Sequence, residues 1–540
     1  MNQQNRQQPR AATAESWLGR RLEVRVGPVA HGGHCVARHD GRVIFIRHAL
    51  PGETVLAEVT EDRGGSFCRA DAVEIRTAAP DRVRQPCPYA HPGGCGGCDF
   101  QHVSLPGQRA LKAAVVAEQL SRLAGLRRAV TVQPLDDGDG LGWRRRVRFA
   151  VGPGGELGLR AHRSHQVVPL THCPIGALGV GDADALRTDW PGLAEFEVAV
   201  DDRGEVVELA HRQRPVQQRQ GGRRHGGRRQ DDRRHGGRRQ DERRQDEGRR
   251  AARPVLSTEQ LSGPPALRYT VAGRRFTVHP AGFWQTHPRA AEVFTETVLR
   301  AAAPRPGERV LDLYAGSGLF TAALATAVTA TGRVVGLESE PAAVTDAGHN
   351  LADQPWAGVR RAAVSPASIG SVLAEWATAE PATAEPAAAE PAAAELATAE
   401  PATAEPATAE LSEPGGVGEP ADVPGASPAA VPGVSIVVLD PPRSGAGREV
   451  LHAILAAAPR VVVYVACDPA ALARDVRFAM EAGWRLDELS AFDAFPMTHH
   501  VECVAVLRPG GPEDAPPGEA ESATAQPSDE AHENSTFQVG

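Results

Sequence analysis

Lysine is nearly absent from this sequence, since Lys112 is the only one among 59 basic residues and arginine carries the remaining positive charge. Aromatic residues make up 4% of the chain, and no apolar run reaches membrane-spanning length. The N-terminal residues are polar and contain no apolar signal core. Eight cysteines in 540 residues are too few for a secreted disulfide scaffold. We therefore expect a cytoplasmic monomer that does not bind membranes.

Charge is distributed unevenly, although the net value is only -8. Residues 377–427 hold ten acids and residues 509–540 hold seven, without a single Lys or Arg, whereas residues 212–253 hold sixteen Arg and six acids. The rest of the chain is close to neutral, so bulk charge neither supports nor excludes a nucleic-acid partner. We predict a disordered arginine-rich insertion at 211–253, an acidic Ala/Glu/Pro insertion at 377–432 and a disordered tail at 509–540. The arginine-rich stretch is either an RNA-binding arm or a solvated expansion.

The chain is too long for one compact domain, and its patterning changes along its length. Residues 20–78 contain short alternating apolar segments between Gly-rich turns, which predicts a small β-barrel. Residues 87–210 contain a cysteine cluster, a helix at about 106–126 and a strand-rich central region that includes a hairpin at 195–209. In residues 264–508, apolar runs alternate with helical segments, which predicts an α/β domain with a doubly wound sheet.

One of these apolar runs leads into a glycine-rich turn within residues 310–321. Gly316 and Gly318 allow a ligand to approach the backbone closely, at the start of a helix. Glu338 ends the next apolar run, where a carboxylate can accept hydrogen bonds from ribose hydroxyls. The pattern indicates a nucleoside cofactor, and at this point both S-adenosylmethionine and NAD fit it.

Two further strand ends carry residues suited to chemistry. Asp440 begins a rigid D-P-P-R turn that resembles a methyltransferase motif and favours S-adenosylmethionine over NAD. Cys467 follows the run RVVVYVA, at the carboxyl edge where substrates bind in such sheets, although a lone cysteine is more often a buried structural thiol. Glu502 enters the last apolar run, so a thiol and a carboxylate could supply a nucleophile and a general base.

A separate cluster of cysteines precedes the central region. Cys87, Cys95 and Cys98 have the spacing C-x7-C-x2-C, and Cys173 lies far along the chain in the segment THCPI. Such an arrangement is typical of either a four-cysteine zinc site or an iron–sulfur cluster, and the spacing does not decide between them.

Taken in order, Gln285 and the segments DLYAGSG, DPPR, YVACDP and FPMTHHVE resemble the family of tRNA and ribosomal RNA uracil-5-methyltransferases. Residues 20–77 look like the TRAM RNA-binding barrel, which is an OB-like fold. CPYAHPGGCGGC resembles the iron–sulfur segment of the family, and WRRRVRF and THCPI match its central domain. The resemblance covers most of the chain and implies a Rossmann-like class I methyltransferase domain behind a TRAM barrel and a strand-rich central domain.

The resemblance also implies a mechanism, in which Cys467 adds to C6 of a uracil in RNA and Glu502 removes the C5 proton after methyl transfer. S-adenosylmethionine would be contacted by Gln285, Tyr314, Glu338 and Asp440, and a [4Fe–4S] cluster would be held by Cys87, Cys95, Cys98 and Cys173. A TRAM barrel together with a cysteine cluster favours 23S ribosomal RNA over tRNA. The alternatives are a non-catalytic RNA-binding iron–sulfur protein and an RNA methyltransferase that acts on tRNA or on another atom.

Five positions depart from the family pattern near the expected site. Leu319 stands where many members have an Asn, and Gln285 is followed by Thr286 and His287 where Val and Asn are usual. Ala466 and Asp468 replace a Ser and an Asn that commonly flank the nucleophile. None of these changes removes a reacting group, so they concern binding rather than chemistry.

Overall fold

A computed structural model describes residues 16–213, 256–378 and 433–511. Most of the two predicted insertions and of the predicted tail lies outside these described residues. Three predicted boundaries differ from the structure. A strand continues to Gln213 where the arginine-rich insertion was expected to begin at 211, and a helix continues to Thr378 where the acidic insertion was expected to begin at 377. The last strand includes Pro509, where the tail was expected to begin. The strand that ends at Gln213 is extended over polar residues because Arg212 and Gln213 pair with the neighbouring strand.

The N-terminal unit is a five-stranded sheet with the order β1-β4-β5-β3-β2. Its outermost strands β1 and β2 contact one another, so the sheet closes on itself as a small barrel. Apolar side chains alternate inward along each strand, as in the burial pattern of Val55, Ala57 and Val59. The strands are β1 Arg21–Arg25, β2 Cys35–His39, β3 Arg42–Arg47, β4 Thr54–Glu61 and β5 Phe67–Thr77.

A single helix, α1 (Leu105–Gln119), connects the barrel to the rest of the molecule and continues as a π-helical turn over Leu120–Ala124. Ser104 caps its N-terminus by accepting a hydrogen bond from the Gly107 amide at 3.1 Å. Val115 on one face packs in the barrel core, whereas its neighbour Val116 packs in the core under the C-terminal sheet. The helix therefore fixes the two domains against each other.

The central region forms a six-stranded antiparallel sheet with the order β12-β11-β10-β7-β8-β9. The predicted hairpin is present as β10 and β11, which pair from Glu195 opposite His211 to Val200 opposite Val206. The strands are β7 Arg146–Val151, β8 Leu157–Arg160, β9 Val167–Pro169, β10 Glu195–Val200, β11 Val206–Gln213 and β12 Leu256–Ser262; a 3-10 turn spans Asp184–Arg187, and β6 (Val132–Pro134) precedes them.

The C-terminal domain is an eight-stranded sheet with the order β17-β16-β15-β18-β19-β21-β20-β6. Its strands are β15 Arg309–Leu313, β16 Arg333–Glu338, β17 Ala357–Arg361, β18 Ile436–Leu439, β19 Val461–Ala466, β20 Trp484–Asp493 and β21 Glu502–Pro509, joined at one edge by β6. Its helices are α2 Ala290–Ala302, α3 Leu319–Val328, α4 Pro341–Asn350, α5 Pro366–Thr378, α6 Arg448–Ala456 and α7 Pro469–Glu481; the hairpin β13 Leu267–Val271 and β14 Arg274–Val278 precedes α2.

Strands β15 to β19 run parallel, and β21 inserts antiparallel beside β19. Helices α2 to α4 contribute to the core on one face of the sheet, and α5 to α7 contribute to the core on the other. This is the predicted doubly wound architecture, and its strand order reverses between β15 and β18. Ligands of such sheets bind at the carboxyl ends of the strands near that reversal. Within the described residues, no helix is both long and apolar enough to cross a membrane.

Candidate active site

The carboxyl ends of four parallel strands carry the predicted site residues. Glu338 ends β16, Tyr314 follows β15, Asp440 follows β18 and Cys467 follows β19. The register aligns these ends, because Leu313 pairs with both Leu337 and Leu439. Residues from widely separated parts of the sequence therefore meet at one edge of the sheet.

Cys467 and Glu502 are brought together by an antiparallel pair of strands. Ala466, the last residue of β19, pairs with Cys503 of β21. Cys467 and Glu502 are the next residues beyond that pair on the two chain segments, and the charge of Glu502 contributes to raising the pKa of Cys467. The thiol and the carboxylate thus lie beside each other at the rim of the sheet.

A cavity of about 540 Å³ opens over this edge. All six residues predicted to react or to bind the methyl donor line it: Gln285, Tyr314, Glu338, Asp440, Cys467 and Glu502. The remaining wall includes Phe283, Thr286, Gly316, Arg443, Phe495 and His500. The structure brings the predicted set together, while the role of each member stays a prediction.

One end of the cavity is shaped by the glycine-rich turn after β15. Tyr314 has a φ of +64° and Gly316 a φ of +54°, both in the left-handed region. A Cβ on Gly316 would meet no atom within 4 Å, so this residue leaves open space on the cavity side. The Glu338 carboxylate is fixed there by the amides of Gly316 at 3.0 Å, Ser339 at 2.6 Å and Glu340 at 2.8 Å. The turn and the carboxylate form a rigid cradle for a polar ligand.

Acidic groups crowd the floor of the cavity. Burial, together with the charge of Asp440, raises the pKa of Glu502 well above its usual value. Burial and then the charge of Asp312 raise the pKa of Asp440 to about 7, and burial raises that of Asp312 to about 7 as well. These carboxyl groups disfavour one another's ionised forms. A cation placed among them would relieve this repulsion.

The Cys467 thiol is half-buried in the same field. Burial, followed by the charges of Glu502 and Asp440, raises its pKa to about 11, and Arg443 acts in the opposite direction. The thiol is therefore protonated at neutral pH in the protein alone.

Two contributors to the site, Arg443 and His31, were not predicted from the sequence. Arg443 Nη2 lies 3.3 Å from His500 Nε2, and both side chains border Cys467. His31, in the barrel, lies with Nε2 3.1 Å from Oδ2 of Asp468, and this hydrogen bond raises the pKa of His31. Asp468, which departs from the family pattern, therefore has a hydrogen-bond partner 437 residues earlier in the sequence. The D-P-P-R segment could have indicated Arg443, but no local signal identifies His31.

A second cavity, of about 80 Å³, lies on the barrel side of Cys467. The turn His31–Gly33 forms one wall, and His499 and Asp468 lie on another. A Cβ on Gly33 would lie 2.7 Å from Cβ of His499, so the two domains meet as closely as a glycine allows. Cys467 thus lies between the large cavity and an interdomain cavity.

The four clustered cysteines are free thiols that gather in one place. The charges of Cys173, Cys95 and Cys87 each contribute to raising the pKa of Cys98 after burial, so the four sulfur atoms lie within electrostatic range of one another. Among the described residues, no group of three or more His, Cys, Asp or Glu is spaced to hold a single metal ion. A polynuclear cluster needs wider spacing between its ligands than a single ion does.

The cysteine segment also supports the active site directly. The amides of Asp99 and Phe100 donate to the Met497 carbonyl at 3.0 and 2.9 Å. Asp99 Oδ2 lies 2.6 Å from Nδ1 of His499. Against the effect of burial, the hydrogen bond with His499 holds the pKa of Asp99 well below its usual range. The remaining cysteines, Cys35, Cys68 and Cys503, are buried.

The sheet order, the glycine turn and the ring of strand-end residues define a class I methyltransferase domain behind a small barrel. The sequence matches the TRAM domain family over residues 15–73 and the tRNA (Uracil-5-)-methyltransferase family over residues 433–509. It also matches the protein-L-isoaspartate(D-aspartate) O-methyltransferase family over residues 289–364, the part that holds the glycine turn.

Whole-length relatives agree with these matches. An uncharacterized RNA methyltransferase of Streptomyces coelicolor is 39% identical over 92% of this chain and 94% of its own. The 23S rRNA (uracil(1939)-C(5))-methyltransferase RlmD of Shewanella baltica is 28% identical over 91% of this chain and 96% of its own. The Pyrococcus abyssi tRNA (uracil-54, C5)-methyltransferase, solved in complex with S-adenosyl-L-homocysteine, is 19% identical with a TM-score of 0.55, covering 90% of this chain and 100% of its own.

The chain therefore belongs to the RNA methyltransferase family in which a TRAM domain precedes a uracil-5-methyltransferase domain. The TRAM-containing uracil-5-methyltransferase family and the fold class predicted from the motifs are confirmed, and the iron–sulfur cluster stays a prediction. The similarity to the P. abyssi structure shows a shared fold.

Proposed function

We propose that this protein transfers a methyl group from S-adenosylmethionine to C5 of a uridine in RNA, through a covalent bond between Cys467 and C6 of the uracil. One observation carries the proposal: Cys467 and Glu502, which adjoin the paired residues Ala466 and Cys503 of β19 and β21, line the same cavity as Asp440 and Glu338. A methyltransferase acting on an exocyclic amine needs no such pair of nucleophile and carboxylate.

The large cavity fits the proposed methyl donor. Its volume is ample for a nucleoside, Glu338 presents a fixed carboxylate for ribose hydroxyls, and Gly316 leaves the backbone open to a ligand. The crowded carboxyl groups of Asp440 and Glu502 suit a positively charged ligand. When bound there, S-adenosylmethionine supplies the methyl group and a positive sulfonium. Gln285 and Tyr314 complete the proposed contacts.

The protein's own residues then act on the base. Cys467, as thiolate, forms a bond to C6, and the electron pair of the C5–C6 double bond moves to C5 as an enolate. C5 forms a bond to the methyl group as the methyl–sulfur bond of the donor breaks, with its electron pair going to sulfur. The Glu502 carboxylate then takes the proton that C5 carried from the start. The electron pair of the C5–H bond restores the double bond as the Cys467–C6 bond breaks, which regenerates the thiolate.

Arg443 and the charge balance of the cavity control when Cys467 reacts. The thiol is protonated in the free protein because burial and two carboxylates raise its pKa. Arg443 lowers the pKa of both Cys467 and Glu502, and additional positive charge in the cavity acts in the same direction. We infer that the nucleophile ionises only in the loaded site, which protects it from side reactions.

We further propose that Cys87, Cys95, Cys98 and Cys173 hold a [4Fe–4S] cluster; zinc, the alternative that the cysteine spacing left open, is the less favoured, because no group among the described residues is spaced for a single ion. The gathering of four unpaired thiols supports it. So do two hydrogen bonds to sulfur: the backbone amide of Gly97 donates to Cys95 Sγ at 3.4 Å, and the side-chain amide of Gln101 donates to Cys98 Sγ at 3.3 Å. Their role would be structural, because the segment supports the loop at Met497. Iron, sulfide and zinc analysis of anaerobically purified protein distinguishes the two.

We favour 23S ribosomal RNA as the substrate, with the protein acting in the cytoplasm as a monomer. The barrel, the cysteine segment and the 91% coverage by the S. baltica ribosomal RNA enzyme support this choice. The alternative substrate is tRNA, the substrate named for the P. abyssi structure. Mapping 5-methyluridine in both RNA classes from a deletion strain decides between them.

The covalent step has a direct test. RNA transcribed with 5-fluorouridine carries fluorine where Glu502 would remove a proton, so elimination is blocked. Incubation with S-adenosylmethionine should leave the protein cross-linked to RNA through the peptide that contains Cys467. Methyl transfer to normal RNA without any adduct would refute the covalent C5 mechanism, and RNA binding without methyl transfer would favour a non-catalytic RNA-binding protein.

A further inference from the structure

Three arginines surround one carboxylate between the barrel and the central domain. Arg63 Nη2 lies 3.6 Å from Oε1 of Glu61, Arg69 Nη1 lies 3.4 Å from Oε2, and Arg163 Nε lies 3.5 Å from Oε2. Arg63 and Arg69 come from the β4–β5 region of the barrel, whereas Arg163 lies in the turn between β8 and β9. We call these four residues the Glu61 cluster.

The Glu61 cluster carries excess positive charge, because three guanidinium groups meet one carboxylate. The neighbouring Asp62 does not compensate it, since Arg42 donates two hydrogen bonds to Asp62 at 3.0 and 2.6 Å. Asp62 also accepts from the amides of Trp17 at 2.6 Å and Gly64 at 2.8 Å. These contacts hold the pKa of Asp62 well below its usual range, chiefly through Arg42, and they fix the turn that carries Arg63. The excess charge is therefore presented on a rigid turn.

An exposed aromatic ring adjoins this charge. Phe67 is 44% exposed, and its ring packs edge-on against Phe45 with centroids 5.7 Å apart. The guanidinium of Arg69 lies 5.2 Å from the Phe67 centroid and 5.9 Å from that of Phe45. The outer face of Phe67 is free to stack on a planar group, beside guanidiniums that bind phosphate well.

The Glu61 cluster also leads toward the nucleophile. A cavity of about 270 Å³ contains the cluster and Phe67. An adjoining cavity of about 370 Å³ shares Glu61, Arg69 and Arg163 and extends to His34. The turn immediately before His34, His31–Gly33, lines the interdomain cavity at Cys467. Neighbouring residues of one turn thus border both spaces.

We propose that the Glu61 cluster and Phe67 form a binding site for a nucleotide of single-stranded RNA that flanks the target uridine. The phosphate binds the guanidiniums of Arg63 and Arg163, in competition with Glu61, and the base stacks on Phe67. The proposal rests on the proposed function in taking RNA as the substrate. Single-stranded nucleic acid fits both features, since it offers phosphates and unpaired bases together.

Binding is measured by fluorescence anisotropy on the full chain carrying Cys467→Ala, without methyl donor. The probe is a labelled single-stranded RNA dodecamer of mixed sequence. The double variant Arg63→Gln/Arg163→Gln should weaken binding at least tenfold at low salt. Each lost phosphate contact should also reduce the slope of log affinity against log salt by about 0.7. Both side chains are exposed, at 88% and 52%, so folding is little affected.

Two further variants separate binding from a structural role. Glu61→Gln removes the competing carboxylate, so the affinity for RNA should rise, whereas loss of a merely structural contact would lower it. Phe67→Ala should weaken binding about five- to a hundredfold without changing the salt slope, and Phe67→Tyr should bind as the parent does. Arg448→Gln, an exposed arginine paired with Glu481 on α6 and α7, is the matched control.

The proposal is overturned if Arg63→Gln/Arg163→Gln behaves like the Arg448→Gln control, or if Glu61→Gln weakens binding. It is also overturned if polyglutamate or duplex RNA displaces the labelled probe as effectively as unlabelled single-stranded RNA does. Because no chemistry occurs in this assay, a methylated atom other than uracil C5 would refute the proposed function and leave this site standing. If the protein instead forms an adduct with 5-fluorouridine RNA but the variants bind RNA as the parent does, the proposed function stands and this site is refuted.

Discussion

The raised pKa of Cys467 predicts a quantitative alkylation profile for the free protein. At pH 8 a thiol with a pKa of about 11 is ionised to about one part in a thousand, whereas an unperturbed thiol near 8.5 is ionised to about one quarter. A more basic thiolate reacts faster, which recovers about tenfold of that difference. Cys467 should therefore react with iodoacetamide about twentyfold more slowly than an unstructured cysteine peptide at pH 8.

The raised pKa of Cys467 also determines how the alkylation rate changes with pH, and in which direction. Because the folded pKa lies above the assay range, the rate should rise about tenfold per pH unit from 8 to 10 without a plateau. Glu502→Gln removes a negative charge that raises this pKa, so alkylation should become faster. Arg443→Gln removes a positive charge that lowers it, so alkylation should become slower.

Quenched time points, digested with trypsin, report this rate on the peptide of residues 461–474, which contains no cysteine except Cys467. Far-UV circular dichroism at each pH verifies that the protein stays folded. A plateau below pH 9, or slower alkylation in Glu502→Gln, would refute the electrostatic account of this site.

Two further predictions concern binding and stability. Gly316→Ala should leave the fold intact but weaken S-adenosylmethionine binding, measured by calorimetry, at least tenfold, because its Cβ would occupy the open cavity at a φ of +54°. The control Gly307→Ala has a φ of +86° and lies outside the cavity, so it should bind S-adenosylmethionine normally. Equal affinities of the two variants would contradict the prediction. Lys112→Met should destabilise the protein by about 3–5 kcal/mol in urea unfolding, because it strands Asp493, whose carboxylate lies 2.5 Å from Lys112 Nζ in a fully buried pair. The double variant Lys112→Met/Asp493→Leu should recover most of that loss, and a double variant as unstable as the single one would show that packing, not charge, is responsible.

Much of the catalytic sheet could be predicted because its signals are local. Five apolar runs became β15, β16, β18, β19 and β21, and the residues ending four of them met at one edge. That meeting follows from parallel topology, which aligns strand ends whatever their separation in sequence. Cys467 and Glu502 are neighbours for one further reason, which is that β21 pairs antiparallel with β19.

Other strands gave weak local signals. β6 has only three residues and is a strand because it pairs with β20 at the edge of the sheet. β20 reads WRLDELSAFD, in which charged residues interrupt the apolar ones, and a bulge between Leu486 and Glu488 shifts its register. Its pairing with the apolar β21 defines it more than its own sequence does.

The loop before β21 shows why the site as a whole could not be inferred from its own domain. Lys112 donates to the Phe495 carbonyl at 3.0 Å, Gln108 accepts from the Met497 amide at 2.7 Å, and Asp99 holds His499. All three partners lie almost 400 residues earlier, in the cysteine segment and α1. The loop has no helical or strand hydrogen bonding of its own over most of its length, so these contacts determine its path. Because that path sets where His500 and Glu502 lie, the N-terminal segments help to shape the candidate active site.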